Sequence, residues 1–266
     1  MLYYLLLLPA ALAAIWVYAI SPALSLWWLP PVVLGCFLAA NLLYLLFVVL
    51  VCLLVNMRRE YKTIDPFYHT TMMTLVDWLL AVCRVRIHTE GMEKLPQEGE
   101  FLFVSNHRSA FDPLATLLAL RDLPLAFISK PENIYKLIVG RCAYRCCFLP
   151  IDRDNARSAL KTINAAAERM RAHECSYGIY PEGTRSKTGE LQAFRSGALK
   201  AAQKANVPIV VATIDGTEKV LRRAPWRVTD VYLTILGVVD AQTVRETSTR
   251  ELSSSIHAQM RMQLGK

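Results

Sequence analysis

The stretch "FLFVSNHRSAFDPLATLLAL", residues 101–120, passes from an apolar run into Asn106-His107 and, five residues after the histidine, into Asp112-Pro113. A short apolar run, a polar break and a helix-forming segment read as buried strand, loop and helix. Asp112 followed by Pro113 is a good helix start. An N-cap carboxylate accepts orphan backbone N–H groups, and proline at the first helical position gives up nothing. Capping therefore explains Asp112. It does not explain an imidazole placed where a buried strand ends.

Outward from this stretch, apolar strands and helical segments alternate. "CRVRIHTEG" precedes it as a strand. After it come helix "DPLATLLALR", strand "PLAFISK", helix "ENIYKLIVGRCAY", strand "CCFLPID" and the Ala-rich helix "NARSALKTINAAAERMRAHE". Strand "CSYGIYPE", helix "RSGALKAAQKAN", strand "VPIVVATI" and the long strand "VTDVYLTILGVV" complete the series. Ser248, three residues before Glu251, opens a final helix with a capping box. Such alternation predicts an α/β fold with a mostly parallel central sheet flanked by helices.

Residues 1–57 hold no Asp, Glu, Lys or Arg, so the net charge of +8 belongs entirely to the rest of the chain. Bilayer spans need roughly 20 predominantly apolar residues each, and this stretch is long enough for two. The break falls at "SPALSLWWLPP", where Pro22, Pro30 and Pro31 disfavour a continuous helix and Trp27 and Trp28 suit a membrane interface. The uncharged start and the second apolar segment read as an uncleaved anchor, not a signal peptide. Two spans, or one hairpin dipping into a single leaflet, both fit. Arg58, Arg59 and Lys62, directly after the anchor, place residues 58–266 on the cytoplasmic side. The expected organisation is thus a membrane-anchoring apolar hairpin at 1–57, an amphipathic helix region at 58–83 on the membrane or on the domain, and one domain at 84–266.

Seven cysteines without a CxxC pair read as small core residues in a reducing compartment, neither a disulfide framework nor a zinc site. The cationic surface suits an anionic leaflet. No RNP, zinc-finger or helix-turn-helix pattern supports nucleic-acid binding. The chain lacks the G-x-S-x-G elbow of a serine hydrolase, and no second His, Cys or carboxylate accompanies His107 at metal-ligand spacing.

In open α/β sheets, functional groups gather beyond the carboxyl ends of the strands. Four predicted strand ends carry reactive-looking residues. They are Asn106, His107 and Asp112; Lys130; Asp152 and Arg153; and Glu182, Gly183, Thr184 and Arg185. One histidine, one carboxylate partner and three cations point to a base facing an anionic substrate. Taken singly, each has an ordinary alternative: Pro-Glu-Gly-Thr is strong turn chemistry, and Lys130 and Arg153 suit solvated strand ends.

Taken together, "NHRSAFD" and "PEGTRS", with 75 residues from His107 to Glu182, resemble the glycerolipid acyltransferase family that makes phosphatidic acid from lysophosphatidic acid. "ISKPENIYKLIVGRCAYRCCFLPIDR" and "VPIVVATIDGT" resemble the family's other two blocks, and the likeness covers about residues 84–216. The resemblance implies that His107 is the general base for the acceptor hydroxyl and that Asp112 orients its ring. It implies that Lys130 and Arg185, with Arg153 as helper, hold the acceptor's phosphate, and that Glu182, Gly183 and Thr184 complete the acceptor motif. It further implies a direct attack on an acyl thioester, from coenzyme A or acyl carrier protein, with no cofactor and no metal. Relatives within such a family acylate other lysophospholipids, lyso-ornithine lipids or glycerol 3-phosphate. A non-catalytic lipid-binding protein is the rival from another class, against which the intact His107–Asp112 pair argues. Tyr180 stands where Phe commonly precedes the Pro-Glu-Gly-Thr-Arg run, and Val211-Ala212 where Pro-Val is common.

Overall fold

The structure, a computed structural model, describes residues 11–12, 14–20, 26–186 and 188–265. The first ten residues and Pro22 of the expected hairpin break lie outside them. Helix α1 spans Leu29–Leu53, with Pro30 and Pro31 in its first turn, where a missing N–H costs nothing. From Pro30 to Leu53 it is long and apolar enough to cross a membrane, by length and composition. One face of α1, with Val48, Val51 and Cys52, is buried, while Leu34, Leu38, Leu42 and Leu46 are exposed.

Helix α2, Pro66–Val82, starts at Asp65, whose carboxylate accepts from the N–H groups of Phe67 and Tyr68. Thr71, Met72, Met73, Val76 and Leu80 form its buried face. Of the two settings the sequence allowed for this helix, the structure shows the domain: Met72, Met73, Val76 and Leu80 join the central core. Trp78 Nε1 donates to Asn41 Oδ1 at 2.7 Å and the Tyr44 hydroxyl donates to Thr74 Oγ1 at 3.1 Å. These pairings make α1 and α2 antiparallel. The N-terminal part of α1 therefore runs past the end of α2, by roughly 12 Å at about 1.5 Å per residue.

Seven strands form one sheet: β1 Val85–Glu90, β2 Leu102–Ser105, β3 Leu125–Ser129, β4 Leu149–Pro150, β5 Ser176–Ile179, β6 Ile209–Asp215 and β7 Thr229–Val239. Their order is β1-β7-β6-β2-β5-β3-β4. Every neighbouring pair is parallel except β6 and β7. β2 and β5 are buried throughout, as expected of parallel strands covered on both faces. β4 is cut to two residues at the sheet edge, where Pro150 has no N–H to give a further neighbour. The one antiparallel junction fixes the geometry of the site. The end where β2, β3, β5 and β6 finish is also the end where β7 and β1 begin and α2 stops.

Further helices, all after β2, are α3 Asp112–Ala119, α4 Pro131–Tyr135, α5 Ile138–Arg145, α6 Ala156–Arg171, α7 Lys200–Ala205, α8 Val220–Arg223, α9 Ala241–Glu246 and α10 Thr249–Leu264. The single helix expected at "ENIYKLIVGRCAY" is two, because Leu137 adopts an extended backbone between α4 and α5. The short α9, capped by Asp240, has no counterpart in the sequence reading. Ser248 caps α10 through the N–H of Glu251, as the box predicts. α2 and α3 pack on one another and on β1, α5 lies against α1, α6 packs on β5, and α10 on β6. All seven cysteines are free thiols and six are buried.

Candidate active site

The site begins where β2 ends. Asn106 is buried there, and its side-chain amide both donates to the Ile214 carbonyl (2.9 Å) and accepts from the Ile214 N–H (2.8 Å). The amide thus acts as one more rung between β2 and β6, and pins the chain at the residue before His107.

From His107 the backbone curls around the Asp112 carboxylate. Asp112 Oδ2 accepts from His107 Nδ1 at 2.7 Å, from the Arg108 N–H at 2.7 Å and from the Ser109 N–H at 2.8 Å. Oδ1 accepts from the Thr217 hydroxyl. This corrects the expected cap. The N-cap of α3 is Phe111, which makes no side-chain cap bond, and Asp112 is the first helical residue. Its carboxylate turns back to the 107–109 loop and not forward to the helix amides. Among the described residues no Arg or Lys pairs with it, since Arg108 is held by Asp215. An acceptor-only carboxylate at Nδ1 makes that nitrogen the donor, and leaves Nε2 as the basic position.

Three further contacts hold His107. Its N–H donates to Glu182 Oε1 at 2.5 Å, and its carbonyl accepts from the Ser186 N–H at 2.8 Å. Its ring stacks on Tyr180, centroids 4.3 Å apart and planes 13° from parallel, and Tyr180 stacks in turn on Phe127 at 5.5 Å. The Tyr180 hydroxyl lies near that of Thr116 but outside hydrogen-bond geometry, so both oxygens are buried without a partner. Burial, then the charge of Asp112, pushes the Tyr180 phenol well above its ordinary pKa. The ring alone serves the stack, which explains why Tyr can stand where the resemblance expects Phe.

Glu182 is buried and fully engaged, since its second oxygen accepts from the Gln192 N–H at 2.9 Å. Burial raises its carboxyl above the usual glutamate range, against the pull of the two backbone donors. Gly183 comes next with φ +72°, a left-handed conformation that glycine adopts without strain. A Cβ there would stand 2.9 Å from Arg195 Nε, so the Arg195 side chain lies directly over this glycine. Arg195 Nη1 donates to the Arg153 carbonyl at 3.3 Å. Burial, then the neighbouring Arg195 charge, lowers the Arg153 guanidinium pKa.

Arg153 and Arg195 therefore sit side by side, and among the described residues neither has a carboxylate in an ion pair. They border a cavity of about 380 Å³ whose walls include Ile128, Ile151, Leu160, Ile163 and Ile179. Tyr180 lines this cavity too, and so joins it to the His107 ring. Lys130 lies exposed at the end of β3, directly before α4, and Thr184 and Arg185 lie exposed just after Gly183. Asp152 accepts from the Asp154 N–H in a local turn. Thr217 and Arg195 were missed in the sequence. Thr217 is placed by topology, from far along the chain, and Arg195 by the fold of the loop after Gly183, and neither has a motif of its own. Among the described residues, no group of three or more His, Cys, Asp or Glu side chains is placed to hold a metal.

Residues 86–215 match the family model described as Acyltransferase. A 1-acyl-sn-glycerol-3-phosphate acyltransferase of Arabidopsis thaliana chloroplasts is 35% identical over 137 residues, which are 51% of this chain and 38% of that protein. The Salmonella typhimurium 1-acyl-sn-glycerol-3-phosphate acyltransferase is 23% identical over 218 residues, 82% of this chain and 89% of its own length. The match thus spans well under half of the plant relative and most of the bacterial one. The fold is similar to the crystal structure of the 1-acyl-sn-glycerophosphate acyltransferase PlsC from Thermotoga maritima, with a TM-score of 0.58 at 23% identity. That likeness covers 84% of this chain and 88% of the other. The stretch similar to the acyltransferase family, just under half of the chain, holds His107, Asp112, Glu182 and Arg195 around the end of β2.

Proposed function

We propose that the protein transfers a fatty acyl group from an acyl thioester to the free hydroxyl of lysophosphatidate, giving phosphatidate. The observation that carries this is His107 Nδ1 held by the buried Asp112 carboxylate at 2.7 Å, beside a loop on which Arg185 stands exposed. His107 Nε2 takes the proton from the acceptor hydroxyl as its oxygen attacks the thioester carbonyl carbon. The C–S bond then breaks, and the departing thiolate takes the proton from the imidazolium. A positioned base of this kind contributes on the order of 10² to 10⁴ in rate. Lys130 and Arg185, with Arg153 assisting, are assigned to the acceptor's phosphate, and holding it fixes the hydroxyl near the base. The apolar cavity behind Tyr180 suits an acyl chain. The donor is acyl-coenzyme A or acyl carrier protein. The apolar N-terminal region holds the enzyme at a membrane, with the domain on the cytoplasmic side of Arg58, Arg59 and Lys62.

An acyl-transfer assay on the purified full chain tests this, with acyl-CoA and acyl carrier protein as donors and lysophosphatidate or monoacylglycerol as acceptors. Preference for the phosphorylated acceptor, and loss of transfer in His107→Ala, are expected. Equal use of both acceptors would remove the phosphate grip, and transfer by the folded variant would remove the base.

A further inference from the structure

Between β6 and β7 the chain carries "KVLRRAPWRV", residues 219–228. The segment joins the catalytic end of the sheet, because β6 finishes and β7 begins there. Two of its large apolar side chains face outward: Leu221 is 73% exposed and Trp226 83%. Arg222, Arg223 and Arg227 between and beside them are exposed as well. Among the described residues none of these arginines forms an ion pair. The nearby carboxylates are engaged, Glu218 with Lys219 at 3.6 Å and Asp230 with His88 at 2.8 Å and Arg86 at 3.7 Å. The segment is held in place: Arg84 Nη1 donates to the Trp226 carbonyl at 3.0 Å, and the Thr229 N–H donates to the Arg84 carbonyl at 3.0 Å.

Arg84 lies just beyond α2, and the N-terminal part of α1 runs past that same end of α2. Exposed Trp27 and Trp28, in a 3-10 turn just before the emerging helix, and Val33 and Leu34 on it thus leave the domain at the end where Trp226 stands. An exposed tryptophan and leucine among unpaired arginines is the composition of a surface that sinks rings to headgroup level and pairs its charges with anionic lipid. Arginines alone would also suit an acidic protein. The outward Leu221 and Trp226, and their continuity with the emerging α1, favour the bilayer.

We infer that residues 221–227 form a second membrane contact, separate from the N-terminal anchor, which seats the catalytic end of the sheet on an anionic lipid surface. This rests on the proposed membrane anchoring, and goes beyond it by fixing which end of the domain meets the lipid. The seat keeps the mouth beside His107 at headgroup level, where a lysolipid can enter without leaving the leaflet.

The test uses the full chain reconstituted in vesicles of phosphatidylglycerol whose acyl chains are brominated. The fluorescence of wild type minus that of Trp226→Phe isolates the signal of Trp226, and that difference is expected to lose more than half its intensity relative to unbrominated vesicles. In the same vesicles Arg222→Glu/Arg223→Glu is expected to raise the apparent KM for lysophosphatidate by about ten-fold or more, and to leave transfer in detergent micelles unchanged. An unquenched Trp226 overturns the inference. So does a charge reversal that acts equally in micelles, or one that raises only the KM for an acidic acyl carrier protein, which would make this a protein-docking face. Quenching does not depend on turnover, so quenching without any acyl transfer would refute the catalytic reading and leave this contact standing.

Discussion

Replacing Asp112 by Asn tests the central pair with the least disturbance to the fold. The carboxylate is buried and accepts four hydrogen bonds, three of them on Oδ2. An asparagine can keep its oxygen at the Oδ2 position and so retain the donors from His107, Arg108 and Ser109. Its amide then faces Thr217, whose hydroxyl can accept as well as donate. What disappears is the negative charge beside a ring that, in the proposed mechanism, becomes positive as the hydroxyl is deprotonated. At about 4 Å between charge centres, and an effective dielectric of about 20, that attraction is worth about 4 kcal/mol. At about 1.4 kcal/mol per decade, kcat should fall about 10³-fold. KM for lysophosphatidate should change little, because Asp112 touches no part of the proposed phosphate site. The measurement is the initial rate of thiol release at saturating donor and acceptor, with a thermal melt as control. A loss below ten-fold in a variant that melts normally would show that Asp112 does not stabilise the imidazolium.

Gly183→Ala combines a left-handed φ with a Cβ against Arg195, so about 1–2 kcal/mol of strain should lower Tm by a few degrees and raise KM for the proposed anionic acceptor, as Arg195 moves and releases the Arg153 carbonyl it holds. An unchanged melt and KM would mean the loop yields without consequence. Glu182→Gln leaves one of two backbone N–H groups without an acceptor, and should destabilise by about 1–3 kcal/mol, read by denaturant titration. A pH dependence arises from the raised carboxyl of Glu182. The native state keeps a proton that the unfolded chain releases, so stability declines as pH rises from the ordinary glutamate range through the folded value. Glu182→Gln should flatten that part of the profile, and an identical slope in both proteins would refute the assignment. Tyr180→Phe removes a buried hydroxyl that lacks a partner, and should keep activity and raise stability by about 1 kcal/mol. A loss of activity would give the phenol a role that its surroundings do not show.

The strand-loop-helix at 101–120 could be read locally because a continuous apolar run, a polar break and Asp-Pro are each short-range signals. The strands were legible for the same reason, as stretches such as "PLAFISK" and "VPIVVATI" are apolar on both faces. The reversal of β7 against β6 was not, since the alternating pattern of "VTDVYLTILGVV" shows a strand without naming its neighbour or direction. The role of Asp112 was half legible. A carboxylate before proline suits a cap, and only the curl of residues 107–109 decides that its oxygens face backward. Thr217 lies 105 residues from its partner, so no window of sequence contains that contact, while Arg195 lies close enough to Gly183 in sequence but only the fold of the intervening loop turns it over the glycine. The break between α4 and α5 depends on a single extended residue, Leu137, inside a helix-compatible pattern.

Two buried carboxylates divide the work of holding His107. Asp112 takes the ring nitrogen and the N–H groups of Arg108 and Ser109, while Glu182 takes the N–H of His107 itself. The Ser186 N–H closes the other side through the His107 carbonyl, and Tyr180 covers one ring face. Ring nitrogen, ring face, amide and carbonyl are thus all engaged before any substrate arrives. The engaged groups leave Nε2 as the ring atom with freedom to react. The loop that supplies Glu182, Tyr180 and Ser186 also carries Gly183, Thr184 and Arg185. A phosphate held by that loop would therefore be registered to His107 through bonds of 2.5–2.8 Å, and not through a flexible tether. This gives a physical reason for the two motifs to appear together: one places His107, the proposed base, and the other fixes both that histidine and the proposed handle of its substrate.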